Sequence, residues 1–320
     1  MADNGPFGAR WQTWRATRYR IIRSWYVANY KSIDGDCLPV LNIIRFLYSH
    51  PLTRKSKVKA LLRFIVWQIK SRLGDEFIVP WIGGTKLAVR HGMKGATGNI
   101  YVGIHEFADM LFVLHFLRPD DLFLDVGANV GSYTVLASGV CGARTWAFEP
   151  DPETTKRLGR NIEINGIGQL ATIHEVALGP NTTDVAFTIG RDTMNRVADP
   201  GDRNVRIVRQ RRLDEILDGR APTMMKLDVE GYEDEVLKGA DASLSKKSLF
   251  AIQAESVSEF LGKTLDRHGF RRVYYDPYQR ALLSEPTDYP SSNALFVRDE
   301  VTVAARLREA PPVRVLDQSI

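Results

Sequence analysis

The sequence has little cysteine and no long apolar run. Its two cysteines, Cys37 and Cys141, are too few and too far apart for a disulfide framework or a cysteine-based metal site, so we expect a reducing compartment. Apolar stretches near the N-terminus, such as FIVWQI at 64–69, are much shorter than the ~20 residues that a membrane-spanning helix needs. No secretory apolar region follows Met1. These absences argue against a transmembrane or secreted protein and favour a cytoplasmic one.

The chain also lacks an even distribution of charge. It has 320 residues, 44% of them hydrophobic, which is enough for one α/β domain with an extension. Residues 1–73 carry fourteen Lys or Arg and three Asp, a net charge of +11, whereas the remainder carries −6. The sequence therefore predicts a basic, mainly helical extension over 1–75 and a separate domain over 76–320.

Two segments of the extension combine basic and apolar residues. RWQTWRATRYRIIRSWYVANY at 10–30 interleaves arginines with aromatic residues. In the second segment, apolar residues recur at helical spacing among lysines: Val58, Leu61, Leu62, Ile65, Val66 and Ile69. We expect both helices to pack on the following domain through their apolar faces. The alternative is a weak peripheral contact of residues 1–73 with the inner face of a membrane. No nucleic-acid-binding motif is present, so no nucleic-acid partner is expected.

The rest of the chain alternates between strand and helix patterns. Residues 76–103 predict a hairpin or two, 104–299 the core, and 300–320 a C-terminal tail. Strands are predicted at 121–127, 143–149, 172–178, 223–229, 249–255, 270–276 and 293–298. Helices are predicted near 131–139, 152–164, 233–244 and 257–268. This alternation favours an α/β fold with a doubly wound, mostly parallel sheet, its last strand inserted antiparallel.

A glycine-bearing turn follows the first predicted strand, in FLDVGANVGSYTVLA at 123–137. Gly127 and Gly131 allow a tight turn and a close approach to a ligand, and Asn129 tolerates a left-handed conformation better than most residues. A dinucleotide fingerprint would read G-x-G-x-x-G, and neither that spacing nor its middle glycine is present. The turn therefore predicts a nucleotide-type cofactor other than NAD.

A carboxylate ends the next predicted strand. Glu149 follows the strand ARTWAF and lies eighteen residues after Gly131, where a carboxylate can accept hydrogen bonds from both hydroxyls of a ribose. A loop of this kind or an acidic strand end alone is common in α/β proteins. Together they indicate a nucleoside-containing cofactor.

Six motifs follow one another along the chain: LDVGANVGSYT, AFEPDP, NIEING, VALG, LDEIL and MKLDVEGYEDEVLKGA. In this order they resemble the FkbM family of S-adenosylmethionine-dependent methyltransferases. The resemblance runs from about Gly95 to about residue 298 and implies a class I methyltransferase with a Rossmann-like sheet. Its cofactor would be S-adenosyl-L-methionine.

The resemblance also implies roles for individual residues. Asp125, Gly127, Asn129 and Gly131 would line the methionine and ribose part of the cofactor, and Glu149 would hold the ribose diol. The adenine would lie near Val176 and Ala177, and Glu106 would approach the cofactor from the other side. FAIQAES at 250–256 departs from the family pattern, so no substrate role is carried over to Glu255.

The catalytic prediction rests on K-x-D-x-E in the predicted fourth strand. Alternation should place Lys226, Asp228 and Glu230 on one side of that strand, facing the glycine loop. We expect Asp228 to lie nearest the transferred methyl group, Glu230 to assist and Lys226 to neutralise the pair. Clustered carboxylates suit Mg²⁺, but no third ligand can be assigned from the sequence, so no metal is predicted.

Other polar residues are candidates for a base or for acceptor contacts. His105 and His174 are rival bases, although His174 lies within a predicted strand and is more typical of a core or edge histidine. Asn195 and Arg196, in the hydrophilic stretch 190–204, are predicted to touch the acceptor.

The sequence thus predicts an O-methyltransferase that acts on a hydroxyl of a sugar or glycan precursor. Methylation of a polyketide or other small metabolite is the alternative enzyme, and a cofactor-binding scaffold in a glycan assembly complex is the alternative outside enzymes. The acceptor, the methylated position and the oligomeric state stay open.

Overall fold

The computed structural model describes residues 39–190, 194–289 and 291–320. The helices, numbered in chain order, are α1 (Pro39–Ser49), α2 (Lys57–Lys70), α3 (Lys94–Val102), α4 (Phe107–Phe116), α5 (Ser132–Thr134), α6 (Pro152–Ile164), α7 (Leu213–Leu217), α8 (Glu233–Lys238), α9 (Asp241–Leu244), α10 (Glu259–Arg267) and α11 (Glu300–Glu309). The strands are β1 (Phe77–Pro80), β2 (Lys86–Val89), β3 (Leu122–Val126), β4 (Arg144–Phe148), β5 (Ala171–His174), β6 (Ala177–Leu178), β7 (Thr183–Thr188), β8 (Val205–Arg211), β9 (Met224–Leu227), β10 (Ala251–Ala254), β11 (Arg271–Asp276), β12 (Ala281–Leu283), β13 (Ala294–Val297), β14 (Arg314–Val315) and β15 (Gln318–Ser319). A 3₁₀ turn spans Ile82–Gly84, and a π-helical segment, Val135–Val140, continues α5.

The centre of the fold is an eight-stranded sheet in the order β12-β11-β13-β10-β9-β3-β4-β5. The five strands from β10 to β5 run parallel, and β13 is inserted antiparallel between β10 and β11. This arrangement is the doubly wound, mostly parallel Rossmann-like sheet that the sequence predicted, including its antiparallel last strand. All seven predicted strands contribute to it, and the edge strand β12 was not predicted.

Two apolar layers cover the sheet because successive strand residues point to opposite faces. Phe123 packs in the layer that contains α4 and α11, whereas its neighbour Leu124 packs with α8 and α10. Met224 and Met225 divide between the layers in the same way. Burial on both faces explains why β3, β9 and β10 are mainly apolar, each with a single polar residue, and do not alternate apolar with polar residues.

The agreement of predicted and observed helices depends on local signals. α6 has the predicted bounds because Asp151 caps it, accepting a hydrogen bond from the Thr154 N–H at 3.0 Å, and Pro152 occupies its first turn. The predicted helix 233–244 divides into α8 and α9 at Gly239. Gly239 packs so closely on Gly179 that an added Cβ would lie 2.1 Å from the Gly179 carbonyl oxygen.

A second, three-stranded sheet in the order β6-β8-β7 lies beside the main one and was not predicted. The predicted strand 172–178 is in fact two strands, β5 in the main sheet and β6 in this one. The hydrophilic stretch 190–204 connects β7 to β8.

The region 76–103, for which a hairpin or two was predicted, contains one hairpin, β1–β2, followed by the helix α3, which was not predicted. α3 buries Ala96, Asn99 and Val102 on one side, and Gly103, with a φ of 85°, ends it. This segment is helical despite the β-propensity of its IYV sequence, because its buried residues recur at helical spacing.

The first predicted extension helix, at 10–30, lies outside the described residues, and the second is α2. Phe64 and Trp67 of α2 pack edge-on against Tyr101 and Phe77, with ring centroids 5.3 and 6.0 Å apart. The expectation that α2 packs through its periodic apolar residues is wrong, because five of the six are exposed: Val58, Leu62, Ile65, Val66 and Ile69. Bulky aromatic residues on the opposite side of α2 make the contact instead.

The C-terminal tail packs against the core. Val303 and Leu307 of α11 and Val315 of β14 are buried in the same layer as α4. Across the ranges that the structure describes, no helix has both the length and the apolar character to cross a bilayer.

Candidate active site

The turn after β3 has the backbone conformation that its sequence predicted. Gly127, Asn129 and Gly131 have φ angles of 79°, 50° and 85°, in the region that favours glycine and tolerates asparagine. A Cβ on Gly127 would lie 1.8 Å from the Asp228 backbone oxygen, and one on Gly131 would lie 2.4 Å from Leu158 Cδ1. Both glycines are therefore required, the first because the turn after β3 touches the turn after β9.

Glu149 faces this turn from the end of β4. Its two carboxylate oxygens accept hydrogen bonds from the backbone N–H groups of Asn129 and Asp151, each at 3.0 Å. Burial raises the pKa of Glu149 to about 7, although these two hydrogen bonds favour the charged form. A buried carboxylate at the carboxyl end of a parallel strand, fixed against the turn, fits the predicted hydroxyl acceptor.

Asp125 links the turn to the centre of the sheet. Its carboxylate accepts a hydrogen bond from the Thr134 hydroxyl at 2.6 Å, and it is paired in register with Lys226 of β9. Burial raises the pKa of Asp125, and the nearby Lys226 charge opposes that shift. Asp125 is buried, and its hydrogen bond fixes Thr134, the last residue of α5, against β3.

Lys226 is the one cation that the structure shows inside this group of carboxylates. Its side chain is 2% exposed and forms a short ion pair with Asp228, and its ammonium lies 4.5 Å from the centre of the Tyr133 ring. Burial lowers the pKa of Lys226, but the charges of Asp228, Glu106 and Asp125 outweigh burial and raise it. Lys226 therefore stays protonated and holds Asp228 in place, and its role of neutralising the two carboxylates in catalysis stays a prediction.

Of the predicted K-x-D-x-E group, only Lys226 is on the strand. β9 ends at Leu227, Asp228 follows it directly, and Glu230 lies in the turn after it with a φ of 50°. The argument from strand alternation is therefore wrong for both Asp228 and Glu230. The turn nevertheless brings oxygens of Asp228, Glu230 and Glu255 within 4.8 Å of one another.

Glu255 is thus a third carboxylate at this position, and it could not be assigned as a ligand from the sequence. Three oxygen ligands at this spacing could hold a divalent cation such as Mg²⁺, and close acidic groups also occur without one. The absence of a metal stays a prediction. The reason for it, that no third ligand could be assigned, no longer holds.

Glu106 lies at the N-terminus of α4, on the other side of Lys226. Its carboxylate accepts hydrogen bonds from the Tyr133 hydroxyl at 2.7 Å and from the Asn293 side-chain amide at 3.4 Å. Tyr133 therefore bridges Glu106 and Lys226. Burial and the Glu106 charge raise the pKa of Tyr133 well above its usual value, so the hydroxyl keeps its proton.

A small, mainly apolar pocket with a few buried polar side chains in its wall lies beside Glu106, and the sequence did not predict it. Asp109 of α4 accepts hydrogen bonds from the backbone N–H groups of Ser292 and Asn293, at 2.8 and 3.3 Å. Burial and the Glu106 charge raise the pKa of Asp109 to about 7. Gln253 of β10 and Asn293 also line it, and neither Gln253 Oε1 nor Asn293 Oδ1 has a hydrogen-bond partner among the described residues.

A sequence signal for this pocket does exist. Asp109 interrupts the apolar run FADMLFVLHF, and Gln253 interrupts FAIQA in a strand with apolar neighbours. A single polar residue in a buried element needs a partner, so such interruptions indicate a pocket with polar side chains in its wall.

The two rival histidines lie elsewhere or are held neutral. His174 stacks on Phe148 with ring centroids 4.9 Å apart, at the edge strand β5. His105 packs against Phe46 at 5.5 Å, and burial lowers its pKa.

The residues predicted for the adenine and the acceptor lie on the second sheet and its loop. β6 begins at Ala177, which is buried, and Val176 directly precedes it. The Arg196 guanidinium forms ion pairs with Asp199 at 2.8 Å and Asp202 at 3.3 Å. These contacts hold Arg196 within its own loop, and its predicted acceptor contact, like that of Asn195, stays a prediction.

Comparison with known proteins gives a family for this region. Residues 125–272 match the methyltransferase FkbM domain. Over 139 residues the chain is 29% identical to the hexuronic acid methyltransferase AglP of Haloferax volcanii, a match that covers 42% of this chain and 56% of that protein. It is 28% identical over 151 residues to methyltransferase 1 of Beauveria bassiana, covering 38% and 60% of the two chains. The chain thus spans somewhat more than half the length of these relatives.

Among solved structures, the chain is similar to a methyltransferase FkbM from Methylobacillus flagellatus. The match has a TM-score of 0.40 and 20% identity and covers 62% of this chain and 52% of that one.

Proposed function

We infer that this protein, whose residues 125–272 form a methyltransferase FkbM domain, transfers a methyl group from S-adenosylmethionine to a hydroxyl of a sugar or glycan precursor. The observation that carries the proposal is the convergence of the β3 turn, Glu149 and the Lys226–Asp228 pair at one edge of the sheet. In open α/β sheets this edge is where ligands bind.

The residues present fit the cofactor. Glu149 is fixed by two backbone N–H groups and has further lone pairs with which to accept ribose hydroxyls. The carboxylates of Asp125, Glu106 and Asp228 exceed the single charge of Lys226, and an excess of negative charge favours a cationic sulfonium. When bound, S-adenosylmethionine supplies a methyl group that is already activated for displacement.

The remaining chemical task is to orient an acceptor hydroxyl and accept its proton. Asp228 suits that task because its side chain is one-third exposed while its ion pair with buried Lys226 fixes its direction. In this proposal the proton of the acceptor hydroxyl moves to the Asp228 carboxylate as the oxygen attacks the methyl group, and the methyl–sulfur bond would break with its electron pair staying on the departing thioether. Glu230, within 4.8 Å, acts as a supporting charge.

The pocket beside Glu106 has room for one water and not for a sugar ring, since its cavity is about 20 Å³. Gln253 Oε1 and Asn293 Oδ1 are buried in its wall without partners in the described structure. The support for a sugar acceptor is the similarity to AglP, which is named a hexuronic acid methyltransferase.

A direct test measures methyl transfer from labelled S-adenosylmethionine to two panels of acceptors, uronic acid or hexose glycosides and hydroxylated polyketides. We expect turnover with a member of the sugar panel. Turnover only with polyketides would show that the acceptor is a polyketide and not a sugar. If calorimetry shows that the cofactor binds but neither panel is methylated, the protein is better described as a non-catalytic cofactor-binding scaffold. If S-adenosylmethionine does not bind, the proposed cofactor is wrong.

A further inference from the structure

Helix α2 has apolar side chains on two opposite sides. Its inner side buries Ala60, Phe64 and Trp67. At 3.6 residues per turn, the outer side carries a second stripe that continues past the helix end. We call it the outer face: Val58, Leu62, Ile65, Val66, Ile69 and Leu73, which are 71%, 54%, 43%, 46%, 59% and 79% exposed.

Six large apolar side chains in one exposed stripe are unusual for a protein surface. Single exposed apolar residues are common, but contiguous apolar patches mark sites of contact with another molecule or a membrane. The described ranges provide nothing that covers the outer face, since all six side chains remain exposed within them.

Basic residues lie on both sides of this stripe. Lys59 and Lys70 lie along one border and Lys57 and Arg72 along the other, and Lys55 precedes the helix. Between Cys37 and Gly74 the sequence has eight Lys or Arg and no Asp or Glu. Lys59 forms an exposed ion pair with Asp317 at 2.7 Å, whereas no ion pair involving the other four occurs in the described parts of the chain.

We propose that the outer face of α2 binds an anionic lipid bilayer. The helix lies parallel to the membrane plane, the six apolar side chains enter the boundary between headgroups and acyl chains, and the flanking lysines and arginines contact anionic headgroups. At 14 residues α2 is too short to span a bilayer, for which ~20 residues are needed. A wide apolar stripe bordered by cations is the pattern of an interfacial helix.

Charge favours a bilayer over two other occupants. Residues 1–38 carry six Lys or Arg and three Asp, so this segment would bring further positive charge to a region that is already positive. A second copy of the chain would oppose two identical basic faces. An anionic surface supplies both the apolar layer and the compensating charge.

The test uses the full chain and sedimentation with phosphatidylcholine vesicles that contain or lack phosphatidylserine. We expect binding to the anionic vesicles, with at least a tenfold weaker partition to the neutral ones. Raising the salt from about 0.1 M to about 1 M, which shortens the screening length from about 10 Å to about 3 Å, should weaken binding strongly.

A pair of double variants locates the binding surface. Leu62→Glu with Val66→Glu places two charges in the outer face and should lower partition at least tenfold. Ile207→Glu with Val301→Glu makes the same charge change at two other apolar positions, which are 65% and 80% exposed. This control variant should lower the partition to anionic vesicles much less. All four positions are exposed, so thermal unfolding should show that both variants fold.

Three outcomes would overturn the proposal. The first is no binding of the full chain to anionic vesicles. The second is equal loss in the two double variants, which would place binding elsewhere. The third is a large fall in melting temperature, or conversion of a dimer to a monomer, in the Leu62 and Val66 variant with vesicle binding unchanged, which would assign the outer face to residues 1–38 or to a second copy.

Discussion

The carboxyl edge of the sheet and the outer face of α2 depart from the usual distribution of side chains in opposite directions. At the sheet edge, charged groups such as Asp125, Glu149 and Lys226 are buried, although charged residues are rarely buried unless paired. On α2, residues such as Val58 and Leu62 are more than half exposed. Both arrangements cost stability, and both are therefore places where function, and not folding, explains the residue types.

The largest expected effect concerns chemistry at the sheet edge. Asp228→Asn keeps the shape of the side chain but removes its basic oxygen, so we expect single-turnover methyl transfer to fall by about 10²–10⁴ at saturating cofactor. The cofactor dissociation constant should change far less. The matched variant Glu230→Gln should lose less, because Glu230 is a supporting charge. Normal rates in Asp228→Asn, with loss in Glu230→Gln or His105→Gln, would transfer the role to that residue.

The second prediction contrasts the two regions by stability. Lys226→Met removes the buried cation and leaves Asp125, Asp228 and Glu106 without it, and breaking such a pair from one side costs about 3 kcal/mol. Leu62→Gln on the outer face should change the free energy of unfolding by less than about 0.5 kcal/mol. Urea unfolding of both variants gives the comparison.

A double variant shows whether the loss of stability in Lys226→Met comes from the unpaired charges. Lys226→Met with Asp228→Asn removes one of the stranded carboxylates and should recover part of the stability. If the double variant is less stable than Lys226→Met alone, packing of the lysine chain, and not its charge, holds this edge together.

The third prediction concerns the cofactor side of the edge. Hydrogen bonds to a charged acceptor contribute about 1.5–3 kcal/mol, so Glu149→Ala should weaken S-adenosylmethionine binding more than tenfold. Calorimetry measures the affinity, and circular dichroism confirms the fold. Glu153→Ala, an exposed carboxylate on the neighbouring helix, is the control and should bind normally. Unchanged affinity in Glu149→Ala would contradict the assigned cofactor position.

The sequence predicted the parts of the site that are local. The β3 turn and Glu149 lie within 25 residues, and the conformations of Gly127 and Gly131 follow from residue type. Asp109, Gln253 and Asn293 come from three distant segments, which meet because β13 is inserted beside β10. The spacing of residues along the sequence cannot predict that insertion.

The orientation of α2 could not be predicted for a different reason. Apolar residues occupy two opposite sides of the helix, so periodicity alone fits either side facing inward. Phe64 and Trp67 bury more area than the aliphatic stripe and find ring partners in Tyr101 and Phe77. The aliphatic stripe is left outside as a consequence.

The smallest predicted effect is a pH dependence at the sheet edge that the outer face of α2 should not show. Burial raises the pKa of Glu149 to about 7 in the cofactor-free protein, so the folded state holds this proton more tightly than the unfolded chain. Stability from this group is therefore greatest at low pH and is lost as the pH rises toward 7. Cofactor binding has the opposite sign, because ribose hydroxyls donate to the charged carboxylate.

Below pH 7 we accordingly expect the affinity for S-adenosylmethionine to fall by about tenfold for each unit that the pH decreases, the slope for release of one proton on binding. Glu149→Gln has no proton to lose, so it should bind weakly at every pH and show a nearly flat profile between pH 5.5 and 8, a range set by the pKa of about 7. Leu62→Gln, on the outer face, should keep the wild-type slope. Calorimetry across this range measures all three. A slope that persists in Glu149→Gln would assign the titration to another buried carboxyl group, of which Asp109, with its pKa also raised to about 7, is the first to test.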